Sequence, residues 1–452
     1  MKALDLQTLA RFAGGTLHGG DSSRLVTTVN TDSRKAATGE LFVALVGDRF
    51  DGHEFVAQVA AAGAAAILVS KMPASPLPCA VIEVRDTLEG LQRLARSYRE
   101  WHQPYVVGIT GSSGKTSTKD FTCAVMAKKH QVCATLGNLN NHLGLPLSIL
   151  RLAEGDTCAV LEMGMNHPGE IAPLAAIAQP DVGIIVNVGV AHIEHMGSRE
   201  AIALEKGMLV EAVHERGVVV LNANDDFTPS IASRCQARVI LAGLGKGDVI
   251  ASDLKPSADG TAFTLDFSGE KFDAFLPIPG EHMVANAALA AAAGWQSGIS
   301  AADATAALRE VALTKGRLET KHIAGITFLD DSYNANPDSM KAGLRTLAGL
   351  GTAGRRIAVL GRMGELGSHA ESAHREIGDY AAALKLDAVF TVGDEAGMIS
   401  ASANKTIPAE HFATHHECAT ALKAFLRPGD VVLLKGSRSA GMEKILPHFQ
   451  TS

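Results

Sequence analysis

The sequence predicts an α/β protein of three domains, with parallel sheets in the two larger ones. Three observations carry that expectation. From residue 86 onward, short apolar runs alternate with amphipathic ones, the pattern of parallel strands covered by helices. The stretch Tyr105-Val-Val-Gly-Ile-Thr-Gly-Ser-Ser-Gly-Lys-Thr-Ser117 reads as strand, small-residue loop and helix start. The chain has 452 residues, 46% hydrophobic and 20% charged, ordinary for a globular protein and long enough for several cores. The pattern changes place the domains at 1–85, 86–315 and 316–452.

In the first domain, Leu4, Leu6, Leu9 and Phe12 suggest a helix that Gly14-Gly15 ends. Leu41 to Leu45 and Ala65 to Val69 read as strands, with a helix from Phe55 to Ala62 between them. The polar clusters Thr31-Asp-Ser-Arg34 and Gly47-Asp-Arg-Phe-Asp-Gly-His53 are loops. Solvation explains such loops by itself. A ligand there must be met by side chains such as Arg34 and Arg49, because no glycine-rich phosphate loop is present.

In the second domain, Asp86 can cap a helix with Leu88, Leu91, Leu94 and Ala95 on one face. Strands are expected at 105–109 and near 130–136, 158–163, 183–188, 217–222 and 237–241. Ligands of open parallel sheets sit beyond the strand C-terminal ends, so Glu162, Asn187, His192 and Asn222 are informative. The third domain repeats the alternation. Strands fall near 326–330, 356–360, 388–392 and 431–435, with helices from about Pro337, His369, Glu395, Glu417 and Ser439. Its run Gly361-x-x-Gly364-x-x-Gly367 is too sparse to indicate a dinucleotide.

Composition excludes some functions. A net charge of -7 leaves no basic footprint, so no nucleic-acid partner is expected. The six cysteines form no C-x-x-C pair and several lie in apolar runs, as reduced core residues do. No signal peptide and no bilayer-length apolar run is read, so a cytoplasmic enzyme without membrane insertion is expected.

The chemistry centres on the loop. Gly111, Ser112, Ser113 and Gly114 lack bulk, so a phosphate chain can approach the amides at the start of the following helix. Lys115 can reach β/γ-phosphates and the Thr116 hydroxyl a magnesium ion, with Ser117 next in the helix. The usual early glycine of such loops is replaced by Ile109. Glu162 suits magnesium, which wants hard oxygens; a solvated strand end is the plainer alternative. His192 is either functional or structural. Lys206 lies within an apolar stripe: on a wheel of about 100° per residue it falls about 20° from Val213, near Ile202 and Leu209. It either snorkels to water or is buried with an altered charge. His282 and Asn286, one turn apart, can read a purine edge or merely cap and solvate. Arg317, at the second domain boundary, can reach a transferring phosphoryl group or remain solvated.

Together these runs resemble the Mur ligase family over the whole chain. Thr110-Gly-Ser-Ser-Gly-Lys-Thr116 is similar to that family's own phosphate loop, and Leu139-Asn-Asn141, Glu162, Ala191-His192, Lys206-Gly207 and His282-x-x-x-Asn286 fall where its members have them. Met208 departs from the glutamate some members carry there. Asp330-Asp-Ser-Tyr-Asn-Ala-Asn-Pro-Asp-Ser-Met340, Gly361-Arg-Met-Gly-Glu-Leu-Gly367 and Lys435-Gly-Ser-Arg438 are similar to the branch that adds D-alanyl-D-alanine. The resemblance implies a small α/β N-terminal domain for a UDP-sugar, a central P-loop ATPase and a Rossmann-like C-terminal domain for the incoming amine. It implies ATP and Mg2+ as cofactors, and UDP-N-acetylmuramoyl-tripeptide and D-alanyl-D-alanine as partners of a monomer. ATP then falls to residues 111–117, His282, Asn286, Arg317 and Asp331. The metal falls to Thr116, Glu162, His192 and a carbamylated Lys206. Ser33, Arg34 and Arg49, with Asn138, Asn140 and Asn141, become substrate contacts. So do Tyr333, Asn334, Asn336, Ser437 and Arg438 on the dipeptide side. A folylpolyglutamate-type ligase is the rival within the class. A nucleotide switch is the rival outside it, and Asn404-Lys-Thr-Ile407 lacks the aspartate a GTPase would need.

Overall fold

The computed structural model describes residues 1–47 and 49–450, so Asp48 of the loop at Gly47–His53 lies outside the described residues. The chain forms two compact units. The first comprises Met1–Gly108, His130–Met165 and Gly169–Asp181; the second comprises Ile109–Lys129, Asn166–Pro168 and the chain from Val182 on.

The first unit holds a five-stranded sheet in the order Thr16–His18, Ala80–Glu83, Ala66–Val69, Leu41–Val43, Val29–Asn30. Only its Thr16–His18 edge runs antiparallel. Phe42, Ala44, Val59, Ile67 and Val69 fill one face, as expected for strands that read as continuous apolar runs. The opening helix is Leu6–Ala13, and Gly14 ends it in the left-handed conformation at φ 69°. Asp86 caps Thr87–His102 through a bond from the Glu89 amide, 2.9 Å long. The same unit contains the parallel pair Val132–Ala134 and Cys158–Glu162. Strand Tyr105–Thr110 leaves this unit at Gly108 and enters the second at Ile109.

The second unit carries the parallel strands Val182–Ile185, Val218–Asn222 and Arg238–Leu244. Here the alternating reading was incomplete. Val249–Ser257, Gly260–Phe267 and Glu270–Leu276 extend the sheet as an antiparallel meander. The period-two burial of Phe263, Leu265 and Phe267 was the available signal. A six-stranded sheet follows in the order Glu319–Ile323, Ile326–Asp331, Val431–Lys435, Arg356–Gly361, Ala388–Val392, Ala409–Phe412. All neighbours but the first pair are parallel. Two of these strands, Glu319–Ile323 and Ala409–Phe412, were not read from the sequence. The helix expected from Ser439 is instead a series of short turns, Arg438–Ala440, Met442–Ile445 and Pro447–Gln450. The α/β class and the parallel sheets are as expected. No helix among the described residues is long and apolar enough to cross a membrane.

Candidate functional site

The phosphate loop has the expected form. Ile109 is fully buried in its strand, and helix Lys115–Met126 starts directly after Gly114. Gly114 has φ 77°, and a Cβ there would lie 2.6 Å from Nδ2 of Asn286. A Cβ on Gly111 would lie 2.8 Å from the Val186 side chain. Both positions therefore exclude a larger residue. Within the loop, the amides of Ser112 and Ser113 donate to Oδ1 of Asn187 at 3.1 and 2.9 Å. Asn187 Nδ2 donates back to the Ser113 carbonyl at 3.1 Å. Asn187 was noticed only as a strand-end residue; the fold turns it into a clamp that fixes the loop. Lys115 Nζ meanwhile donates to the Gly111 carbonyl at 2.7 Å, curled over its own loop.

Residues far along the chain converge on this loop. Arg317 Nη2 donates to Thr116 Oγ1 at 3.1 Å, while its guanidinium lies 4.1 Å from the Tyr333 ring centroid. Its Nε is buried with no hydrogen-bond partner, a donor left over for a ligand or water. Arg317 therefore does not need to travel to reach the phosphate site. Asn336 caps helix Pro337–Gly349 through the Ser339 amide and reaches the Ser112 carbonyl at 3.4 Å. Asp338 accepts from the Val190 amide at 2.9 Å. Asp331 is committed to Lys435, whose ammonium also reaches the Asn334 carbonyl. Asn334 itself is exposed. Ser437 is buried, and Arg438 pairs with Glu443 at 3.1 Å.

Asn286 and His282 share helix Glu281–Gln296 as expected, and Asn286 packs against the loop. Burial, with the charges of Lys435 and Arg345, pushes the His282 pKa down to about 3. It is a neutral ring, able to donate at one nitrogen and accept at the other. Lys206 is 1% exposed, between Ile202 and Leu209 on helix Arg199–Glu211, so snorkelling is ruled out. Burial and the nearby Lys115 charge push its pKa well below the usual lysine value, against the opposing pull of Glu205. His192 has φ 62°, and its Nδ1 lies 2.5 Å from Oε2 of Glu365, an ion-pair contact bent too far for a hydrogen bond.

In the first unit, Glu162 is 3% exposed at the end of its strand and accepts from Nδ2 of Asn140 at 2.8 Å. Asn141 is exposed, and its Oδ1 accepts from the Leu143 and Gly144 amides at 3.2 and 2.9 Å in the turn before Gly144–Ile149. Asn138 is exposed. Arg34, beside Ser33 in a short turn, grips Asp32 with two bonds of 2.8 and 2.9 Å, and Arg49 is exposed. That grip holds the Asp32 carboxyl down at about 2. Among the described residues, no three His, Cys, Asp or Glu side chains are grouped to cage a metal. Thr116 and Glu162 each offer a hard oxygen in their own unit, the donor chemistry magnesium takes. An ammonium at Lys206 does not fit a metal; a carbamate there does.

Three family models match the chain. The model of the Mur ligase family catalytic domain matches residues 25–99, the Mur ligase middle domain 109–294, and the Mur ligase glutamate ligase domain 316–438. A curated relative, the UDP-N-acetylmuramoyl-tripeptide–D-alanyl-D-alanine ligase of Bacillus subtilis, is 38% identical over 98% of this chain and 97% of its own. The crystal structure of MurF from Acinetobacter baumannii superposes with TM-score 0.92 at 32% identity, covering all of both chains. That of Thermotoga maritima MurF in complex with ADP gives TM-score 0.84 at 30% identity, covering 93% of this chain and 96% of that one. The strand, loop and helix around Lys115, with these matches over nearly the whole length, lead to one conclusion: the chain belongs to the Mur ligase family.

Proposed function

We propose that this chain joins D-alanyl-D-alanine to UDP-N-acetylmuramoyl-tripeptide with ATP, through an acyl phosphate, as a peptide-bond-forming ligase. The observation that carries the reading is the loop Gly111–Ser117 with Arg317 already bonded to Thr116. Relatives of the D-alanyl-D-alanine ligase name match over the full length. Likeness to a folylpolyglutamate synthase, at 16% identity, bears on the fold alone.

A carboxylate is a poor acylating agent because oxide would have to leave. Phosphorylation supplies a good leaving group. In this reading Lys115 swings from the Gly111 carbonyl onto the ATP phosphates, and Asn187 keeps the loop from moving with it. Arg317 stabilises charge on the transferring phosphoryl group. His282 and Asn286 flank the nucleotide, with Asp331 acting from behind through Lys435. Magnesium, when bound, would take Thr116, Glu162, His192 and a carbamate of Lys206 as its protein donors and would supply positive charge at the phosphate oxygens. The carbamate would form when the Lys206 amine adds carbon dioxide and loses a proton, which gives the buried side chain a negative charge and two oxygens for a metal.

The domains 1–85, 86–315 and 316–452 take the UDP-sugar, ATP and the dipeptide respectively. Ser33, Arg34 and Arg49 meet the first; Tyr333, Asn334, Asn336, Ser437 and Arg438 meet the last. Asn138, Asn140 and Asn141 border the substrate carboxylate. The enzyme works as a cytoplasmic monomer. The test is phosphate release by purified protein. It should require ATP, the tripeptide and the dipeptide together; release at the same rate without the dipeptide would reject the ligase reading.

A further inference from the structure

The run Gly361–Gly367 has no assignment so far, and the structure gives it an unusual build. It follows strand Arg356–Gly361 and is clasped at its start. The Arg362 carbonyl accepts from the Ser437 amide at 2.8 Å. The Met363 amide donates to Nε2 of His374, a fully buried ring whose Nδ1 donates to the Ala370 carbonyl at 2.7 Å. Two residues past the clasps, Glu365 has φ 58°, a conformation that costs a side-chain-bearing residue energy and is kept where surrounding contacts enforce it. Its carboxylate faces His192, itself at φ 62°, yet 52% of the Glu365 side chain stays exposed.

A half-exposed anion held against His192 needs a reason, since it repels phosphate. Glu365 is itself paired with His192, but unlike Asp330, Asp331 and Glu194 it keeps half its side chain in solvent. Asp331 pairs with Lys435, Asp330 with Lys321 at 2.7 Å, Asp338 with the Val190 amide, and Glu194 with His195 at 3.3 Å. The neighbouring loop, tied on by the Ser437–Arg362 bond, presents Arg438 with 68% of its side chain exposed. Strands Arg356–Gly361 and Val431–Lys435 are parallel neighbours, so both loops leave the same C-terminal edge of the sheet, where ligands of such sheets bind. Anion and cation on adjacent loops suit a zwitterion.

We propose that Glu365 receives the ammonium group of the incoming dipeptide, with Arg438 serving the carboxylate at its other end. His192 and the His374 clasp orient the Glu365 carboxylate. The inference rests on the function proposed above and deepens it. Steady-state kinetics test it, with Glu365→Gln against wild type and with a neutral isostere carrying hydroxyl in place of the amine, D-lactoyl-D-alanine, as competitor. Losing one charge-assisted hydrogen bond should raise the Michaelis constant for the dipeptide about 10- to 100-fold, leaving those for ATP and the UDP-substrate within about twofold. Wild type should bind the neutral isostere about tenfold or more weakly than the dipeptide, and Glu365→Gln should lose that preference. An unchanged dipeptide constant, or an ammonium preference retained in Glu365→Gln, overturns the assignment while product formation leaves the ligase reading standing. No product from wild type overturns both. If Glu365→Gln fails to fold, the isostere competing as tightly as the dipeptide on wild type overturns it, and weaker competition supports it.

Discussion

Replacing Asn187 separates holding the loop from binding the phosphate. The Asn187 side chain accepts from two loop amides and donates to the Ser113 carbonyl, linking residues 74 apart in sequence. In Asn187→Ala the Ser112 and Ser113 amides lose that side-chain acceptor, although Ser112 keeps a bond of 3.0 Å to the Asn187 carbonyl. At about 1 kcal/mol per lost bond, more where the donor stays dry, the variant should lose about 2–4 kcal/mol. For a domain of this size that is a fall in melting temperature of about 5–15 °C. Asn187→Asp keeps the acceptor for both amides, loses the Nδ2 bond to the Ser113 carbonyl and sets a negative charge behind the phosphate loop. It should melt between wild type and Asn187→Ala and bind ATP about a thousandfold more weakly, the effect of about 4 kcal/mol from a unit charge about 4 Å away at an effective dielectric near 20. Differential scanning fluorimetry and calorimetric ATP titration read the two effects. If Asn187→Ala melts like wild type and binds ATP as tightly, the clamp has no energetic content and the reasoning is wrong.

Other outcomes follow from the same geometry. Lys206→Ala should be nearly inactive and Lys206→Glu only partly active, since glutamate reaches less far than a carbamate. Intact mass in bicarbonate should show the added carbon dioxide on wild type, and full activity of Lys206→Ala without additive would refute it. Arg317→Lys should lose turnover by about 100-fold or more while keeping its charge, because a lysine cannot bond Thr116, stack on Tyr333 and present a further donor together; near-normal turnover would remove Arg317 from the chemistry. His282 binds a proton only near pH 3 when folded but near 6.5 when unfolded. The unfolded state therefore holds more protons between those values, and stability should fall as pH drops through that window. His282→Gln should flatten the fall in a melting series from pH 7 to 4, and an equal slope in both proteins would exclude this ring as the cause.

Much of the fold was legible because parallel strands buried on both faces read as plain apolar runs, as at Cys158–Glu162 and Val431–Lys435. Edge and meander strands were not, since Glu319–Ile323 and Ala409–Phe412 are mostly polar and half-exposed. Lys206 was legible as an anomaly, a lysine inside an apolar stripe, but only the fold decided between snorkelling and burial. What no local pattern could give was partnership. Arg317 meets Thr116 across 201 residues, and Asn187 meets the loop across 74. Asn141, Asn336 and Asp331 show the converse: they stand in motif-like runs, yet the structure occupies them with a turn, a cap and an ion pair.

The central claim is that the Lys115 loop activates a carboxylate by phosphorylating it. Labelling the terminal carboxylate of the tripeptide substrate with 18O tests this directly. After reaction with ATP and D-alanyl-D-alanine, mass spectrometry should find one labelled oxygen in the released phosphate for each amide formed, and Lys115→Ala should give neither. Amide product with unlabelled phosphate would mean that the carboxylate is activated some other way, and the account would fail.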